Sequence, residues 1–165
     1  MNLTAKLSFT DTEFLSIDST SASNGCPSSP IKVTGGYKTQ YEDQEINWKE
    51  KFLVADYFTE FKKETGLDLN DDLDIKDLRK KADELGVKYE KEYGKGKMID
   101  TLYKKTVRQK LIQPCFLINL PVEISPLSKR SEKNPAVTER LLIMAGGTEL
   151  GNGFSELNDP LDQRQ

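Results

Sequence analysis

The chain has 165 residues, the length of one ordinary domain with room for a buried core. Its 24 basic and 27 acidic side chains leave a net charge of −3, so no global positive field attracts nucleic acid or an acidic membrane. The sequence contains no histidine, which excludes Ser-His-Asp and Cys-His nucleophiles, a histidine general base and histidine metal ligands within this chain.

The first thirty residues contain eleven Ser or Thr and two prolines. Because they offer little apolar surface to offset the entropy of ordering, we expect residues 1–31 to form a disordered tail. We find no convincing signal peptide or membrane span, which predicts a cytoplasmic protein with no membrane partner. Cys26 and Cys115 fit neither a metal-ligand spacing nor a disulfide framework, so we expect reduced thiols.

The next segments predict strands and then helices. IKVTGGYKTQYEDQEINW, from Ile31, is typical of short strands joined by turns. Residues 49–110 carry interspersed charges of both signs on a helical period, which predicts three amphipathic helices with one solvated face each. Their apolar stripes are Val54, Tyr57, Phe58 and Phe61; Ile75, Leu78, Ala82 and Leu85; and Met98, Ile99, Leu102, Tyr103, Thr106 and Val107. The expected boundaries are Gly66 after the first helix, an Asp74 N-cap and Gly86 C-cap for the second, and Pro114 after the third.

Beyond Pro114 the helical period ends. CFLINL and RLLIMA predict two buried strands, and PVEISPLSK between them predicts a loop. Basic residues gather in SPLSKRSEKNP, where they either face a phosphate or belong to an ordinary surface loop. These residues are Lys129, Arg130 and Lys133.

The segment GGTELGNGFSELNDP carries the candidate chemistry. Side chains alternate along a strand, so Asn152, Phe154 and Glu156 fall on one face. An amide, an aromatic ring and a carboxylate together suit an organic ammonium group. Glu149 is three residues before Asn152, so on a regular strand it would point to the opposite face. The glycines at 151 and 153 permit a bulge that would return it to the face of Asn152. The alternative is a glycine-broken edge strand with ordinary surface carboxylates.

The last residues predict a helix start at Asn158 or Asp159, followed by Pro160. Only about one and a half helical turns separate this start from Gln165, and so short a helix is marginal in water. This pattern favours a truncated protein.

A family resemblance rests on the string from EISPLSKRSEKNP through ELGNGFSELNDP, and extends back through LIQPCFLINLP and the charged helices to Lys32. The string resembles the catalytic domain of class II lysyl-tRNA synthetases, from after motif 2 to shortly before motif 3. The resemblance implies an α/β fold (α+β in the stricter sense) over residues 32–165. This would be part of an antiparallel class II sheet with a helical insertion at about residues 53–111.

The same resemblance implies a function. Positions matching Asn152, Phe154 and Glu156 bind the substrate lysine in that family, and the position matching Glu149 coordinates Mg²⁺ near ATP. The implied activity is ATP-dependent activation of lysine and its transfer to the cognate tRNA, with lysine, ATP and tRNA as partners and no covalent enzyme intermediate. No residue of this chain is assigned a catalytic role.

Three departures from the family pattern shape the expectation. Leu142 stands where the family usually has a second acidic metal ligand. Motif 1, which supports the family's homodimer, and motif 2, which supplies an arginine for ATP, have no match, and motif 3 would lie beyond Gln165. We therefore expect an isolated chain that is incomplete and inactive. The alternative is a non-catalytic lysine-binding or protein-interaction module derived from the synthetase.

Overall fold

The computed structural model describes residues 35–158 and Gln163. The expected tail over residues 1–31 lies outside the described residues, and of the expected helix start at Asn158 or Asp159 only Asn158 is described. The elements follow in chain order as β1 Lys38–Tyr41, β2 Gln44–Asn47, β3 Leu53–Asp56, α1 Tyr57–Thr65, α2 Ile75–Glu84, α3 Lys95–Leu102, β4 Cys115–Ile118, β5 Arg140–Ala145 and β6 Thr148–Phe154. A π-helical turn, Tyr103–Val107, and two 3₁₀ turns, Arg108–Lys110 and Val122–Ile124, complete them.

The strands form two sheets. Strands β1 and β2 make an antiparallel hairpin, and the second sheet has the order β3-β4-β5-β6. The expected α/β class is confirmed, with one difference: β3 runs parallel to β4, so the sheet is mixed rather than purely antiparallel. The helices between β3 and β4 form a crossover connection, which returns the chain in the same direction.

Helix α1 begins later than its apolar stripe suggests. The Asp56 carboxylate accepts a hydrogen bond from the backbone N–H of Thr59 at 2.8 Å and caps the helix. Val54, which the periodicity places on the helix, lies in β3 instead and is 45% exposed. The helix ends as expected at Gly66, whose φ of 75° suits glycine.

Helix α2 confirms the Asp74 cap. The Asp74 side chain accepts from the backbone of Asp77, and the Asp77 carboxylate accepts from the backbone of Asp74, forming a capping box. The helix ends at Glu84, and Gly86 follows its C-cap residue Leu85 with a φ of 66°. Leu85 is 42% exposed, so it does not belong to the buried stripe.

The core lies between the helices and one face of the sheet. Tyr57 stacks on Tyr103, with ring centroids 4.8 Å apart, and on Phe61 at 6.1 Å. Leu117 of β4 and Met144 of β5 are fully buried in the same cluster. No helix within the described residues is both long enough and apolar enough to cross a membrane.

A two-residue turn joins β5 to β6. Gly146 and Gly147 both have positive φ, 59° and 66°, as a type I′ hairpin turn requires. Their backbone N–H groups donate to the carbonyls of Ile112 and Leu111. A Cβ at Gly146 would lie 2.9 Å from the ring of Tyr41, so the β1–β2 hairpin packs directly against this turn. These contacts fix the start of β6.

Candidate functional site

In the second half of β6, Asn152 and Phe154 are exposed, whereas Gly151 and Gly153 are half-buried. Asn152 pairs with Leu142 of β5, and Phe154 pairs with Arg140. Leu142 and Arg140 are two residues apart on β5, so Asn152 and Phe154 share one face, as their spacing predicts.

A β-bulge brings Glu149 to that face. The pairing shifts between Ile143 and Met144: Gly151 faces Ile143, Glu149 faces Met144, and Leu150 is the extra residue. Met144 and Leu142 are on one side of β5, so their partners Glu149 and Asn152 are on one side of β6. The bulge that the glycines permit is present, and it reverses the parity of Glu149.

Glu156 lies just beyond β6, where the pairing continues through a short bridge. Glu156 bridges Ser128, and Ser155 accepts a backbone hydrogen bond from Lys129 at 2.8 Å. The alternation of exposure also continues, with Glu156 exposed and Ser155 half-buried. Glu149, Asn152, Phe154 and Glu156 therefore follow one another along an exposed surface, which we call the β6 face.

Arg140 is a site residue that the sequence interpretation missed. Its Nε donates to Oδ1 of Asn152 at 3.1 Å. Its Nη1 donates to the carbonyl of Ile124 at 3.2 Å and to Oγ of Ser125 at 3.1 Å. A charged residue at the head of an apolar strand was the one available signal, because Ile124 and Ser125 are 16 and 15 residues away in sequence.

A cleft of about 380 Å³ adjoins the β6 face, between helix α3 and strand β5. Glu149, Arg140 and Leu142 contribute to its walls. Asn152, Phe154 and Glu156 are not among the lining residues, so the structure brings only one of the four predicted residues to the cleft itself. The opposite wall carries mixed charges, with Asp100 paired to Lys104 at 2.8 Å.

Two tyrosines line the inner end of the cleft. Burial raises the pKa of Tyr57 well above its ordinary value, and its hydroxyl has no hydrogen-bond partner among the described residues. Burial also raises the pKa of Tyr103, whose hydroxyl lies 3.9 Å from the sulfur of Met144. Both phenols therefore stay protonated at neutral pH and can donate hydrogen bonds.

The metal-binding side chains around the cleft do not form a magnesium site on their own. Across residues 35–158 and Gln163, no group of three or more Asp, Glu, Cys or His side chains could hold a metal ion. Leu142 is 4% exposed and offers no ligand atom beside Glu149. Mg²⁺ prefers six oxygen ligands, so an ion at Glu149 would need most of them from a substrate and from water.

The basic loop resembles an ordinary solvated surface more than a phosphate site. The Lys129 ammonium group lies 3.1 Å from Glu132 and 3.7 Å from Glu139. These carboxylates raise its pKa, with the hydrogen bond to Glu132 as the main cause. The pairing favours the surface-loop alternative for Lys129.

The family model and the curated relatives that match this chain all describe tRNA synthetases. The family model for class II tRNA synthetases (D, K and N) matches residues 13–165, beginning earlier than Lys32, where the sequence resemblance starts. Three curated relatives carry the name lysine–tRNA ligase. The chain is 40% identical over 133 residues to the one from Lactiplantibacillus plantarum, 38% over 132 residues to that of Leuconostoc citreum, and 37% over 139 residues to that of Pectobacterium carotovorum.

The alignments cover 80–81% of this chain but only 26–27% of those relatives, so the chain spans about a quarter of their length. The match to the family model covers well over half of the chain, and the sheet, helices and β6 face all lie within it. The chain belongs to the family of class II tRNA synthetases (D, K and N).

Proposed function

We propose that this chain is the lysine-binding part of a lysine–tRNA ligase catalytic domain. The whole enzyme would activate lysine with ATP and transfer it to the cognate tRNA in the cytoplasm. The family match and the names of the relatives support this proposal. The single observation that carries it is the β6 bulge, which groups Glu149 with Asn152 and Phe154 beside the cleft.

Each side chain of the β6 face has a role suited to lysine. The Glu156 carboxylate would accept a charge-assisted hydrogen bond from the side-chain ammonium of lysine. The Phe154 ring, 44% exposed, would cover the aliphatic stem of the substrate. Asn152 would bind a polar group of the amino acid through its amide.

ATP and Mg²⁺ belong to the proposal as the family's usual co-substrate and ion. Glu149 is the one carboxylate of the β6 face that lines the cleft, so it is the residue that would meet such an ion. The chain's own residues would then bind and orient lysine, and the protonated Tyr57, whose hydroxyl has no partner among the described residues, would supply a hydrogen-bond donor at the inner wall.

A second candidate function is a non-catalytic lysine-binding module. The observation that favours it is the buried Leu142, which leaves Glu149 without an acidic neighbour on β5. Lysine binding without lysine-dependent ATP–pyrophosphate exchange would favour this module, whereas exchange above a no-enzyme control would favour the ligase.

The binding test compares Glu156→Gln with the wild-type chain by calorimetric titration with lysine and norleucine. Loss of a charge-assisted hydrogen bond costs roughly 1.5–3 kcal/mol, so lysine should bind about ten- to a hundredfold more weakly while norleucine is unaffected. Glu92→Gln removes an exposed carboxylate away from the β6 face and serves as the matched control. Equal lysine affinity in the Glu156→Gln and wild-type chains would contradict the proposal.

A further inference from the structure

We propose that Arg140 is a positioning residue that holds the Asn152 amide with its NH₂ group turned toward the ligand. The proposal rests on the proposed function, because it takes the β6 face as the lysine site. It adds a specificity-determining residue on β5 that acts through Asn152.

The first step is that Arg140 is anchored at both ends. On one side, Nη1 is held by the Ile124 carbonyl and by the hydroxyl of Ser125, a residue only 3% exposed. On the other side, Nε reaches Oδ1 of Asn152 at 3.1 Å. Because Arg140 pairs with Phe154, Asn152 is its diagonal neighbour across the two strands, within reach of a long side chain. The planar guanidinium therefore has one orientation in the site.

The second step is that this contact selects one orientation of the amide. A guanidinium only donates hydrogen bonds, so the amide oxygen of Asn152 must face it and the NH₂ group must point away. Within the described part of the chain, this NH₂ group donates to no other atom. Asn152 is exposed, so the group is open to a ligand.

As a consequence, Asn152 and Glu156 bind different groups of the ligand. Asn152 presents a donor, so it binds an oxygen acceptor of the ligand, which in lysine is the carboxylate. The ammonium group of the lysine side chain is left to Glu156. Without Arg140, the Asn152 amide would rotate and present either its oxygen or its NH₂ group to the ligand. The β6 face would then discriminate less between ligands that have a carboxylate and ligands that lack one.

The direct test measures the Asn152 side-chain amide by ¹⁵N NMR on the whole chain. In the wild type we expect a rigid NH₂ group, with a high heteronuclear NOE. Arg140→Lys keeps the positive charge but loses the fork that spans both anchors, so the NOE of Asn152 should fall. The Asn47 amide, which donates to Glu50 at 3.0 Å, is the internal control and should not change. An unchanged Asn152 NOE would overturn the proposal.

The second measurement compares lysine with 1,5-diaminopentane, which has the same two amines but no carboxylate. Arg140→Lys should weaken lysine binding up to about tenfold, the value of one ordinary hydrogen bond, and leave diaminopentane binding unchanged. A merely structural role for Arg140 would weaken both ligands equally, and that result would overturn the proposal.

Ser125→Ala removes one anchor without touching Arg140 or Asn152, and it should give a smaller change in the same direction. It also keeps the test decisive if Arg140→Lys does not fold. A wild-type chain that binds no lysine would contradict the proposed function, while the NOE measurement would still decide whether Arg140 holds the amide.

Discussion

The helical region, residues 57–110, and strand β6 use their side chains in opposite ways. In the helical region the large side chains are buried: Phe61 and Met98 are 0% exposed. On β6 the corresponding feature is an open face, with Phe154 44% exposed. The first arrangement stabilises the fold, and the second leaves side chains available to a ligand.

Several charged side chains of the helical region are paired, whereas the carboxylates of the β6 face are not paired within the described part of the chain. Several cations of the helical region pair with acids about one turn away, as Lys104 does with Asp100 and Lys63 with Glu60. On the β6 face, neither Glu149 nor Glu156 forms an ion pair with any described residue. The residues that pack the core are therefore different from the residues of the β6 face, and the following predictions test that separation.

The largest expected effect is on core packing. Phe61→Ala removes a fully buried ring that stacks on Tyr57, and it should lower the free energy of unfolding by about 3–5 kcal/mol. Phe154→Ala, at the half-exposed ring of β6, should cost less than about 1 kcal/mol. Urea denaturation of both variants gives the two values, and losses of equal size would break the comparison.

Cysteine reactivity next compares the buried core, represented by Cys115 of β4, with the exposed strand β6. Burial raises the pKa of the Cys115 thiol to about 11, so its thiolate fraction at pH 8 should be about a hundredfold lower than that of an ordinary thiol. We expect slow iodoacetamide labelling of Cys115 in a Cys26→Ser background, followed by mass spectrometry. A cysteine at exposed Thr148, introduced by Thr148→Cys in a chain without Cys26 and Cys115, should react rapidly. Equal rates would contradict the burial of Cys115.

Glycine substitutions should also have opposite outcomes in the two regions. A Cβ at Gly96 of α3 would overlap the backbone carbonyl of Glu123, whereas at Gly153 of β6 the nearest atom is the Leu141 side chain at 3.7 Å. Gly96→Ala should therefore lose about 1–2 kcal/mol, because the overlap outweighs the better helix propensity of alanine. Gly153→Ala should be neutral or gain up to about 1 kcal/mol. Thermal melts of the two variants distinguish these results, and a stabilising Gly96→Ala would show that α3 does not contact the 3₁₀ turn closely.

The smallest effect is acid sensitivity near helix α1. The hydrogen bond from Lys62 is the main cause that lowers the pKa of Asp68 to about 2, and two hydrogen bonds from Asn70 add to it. Asp68 therefore contributes stability that is fully present above its ordinary pKa of 3.8 and is lost as the pH falls toward 2. Lys62→Met should move the pKa of Asp68 back toward 3.8 in an NMR titration. Lys88→Met, at an exposed position, should leave it unchanged.

Much of the local structure was predictable because it depends on neighbours in sequence. The CFLINL and RLLIMA segments contain β4 and β5, and Asp74 caps α2 as its position predicts. The parity of Asn152 and Phe154 follows from the two-residue period of a strand. The placement of Val54 on the first helix was wrong, because Asp56 caps that helix at a later residue. The cap, rather than the spacing of apolar residues, sets where the helix begins.

The shared face of Asn152 and Phe154 was predictable, but the assembly of the β6 face was not. The glycines in β6 permitted a bulge, and only the pairing of β5 with β6 decided that the bulge lies between Glu149 and Gly151. Arg140 was missed because its three hydrogen bonds join segments distant in sequence. The untested roles of Asn152, Phe154, Glu156 and Glu149 stay predictions.

The sequence by itself determined the elements of this protein, since helix caps, turn glycines and side-chain periods act over a few residues. It also contained the motif that identifies the family. The tertiary structure alone decided that β3 runs parallel to β4, that α3 forms one wall of the cleft, and that Arg140 donates a hydrogen bond to Asn152. Those features depend on contacts between segments far apart in sequence, which no local pattern specifies.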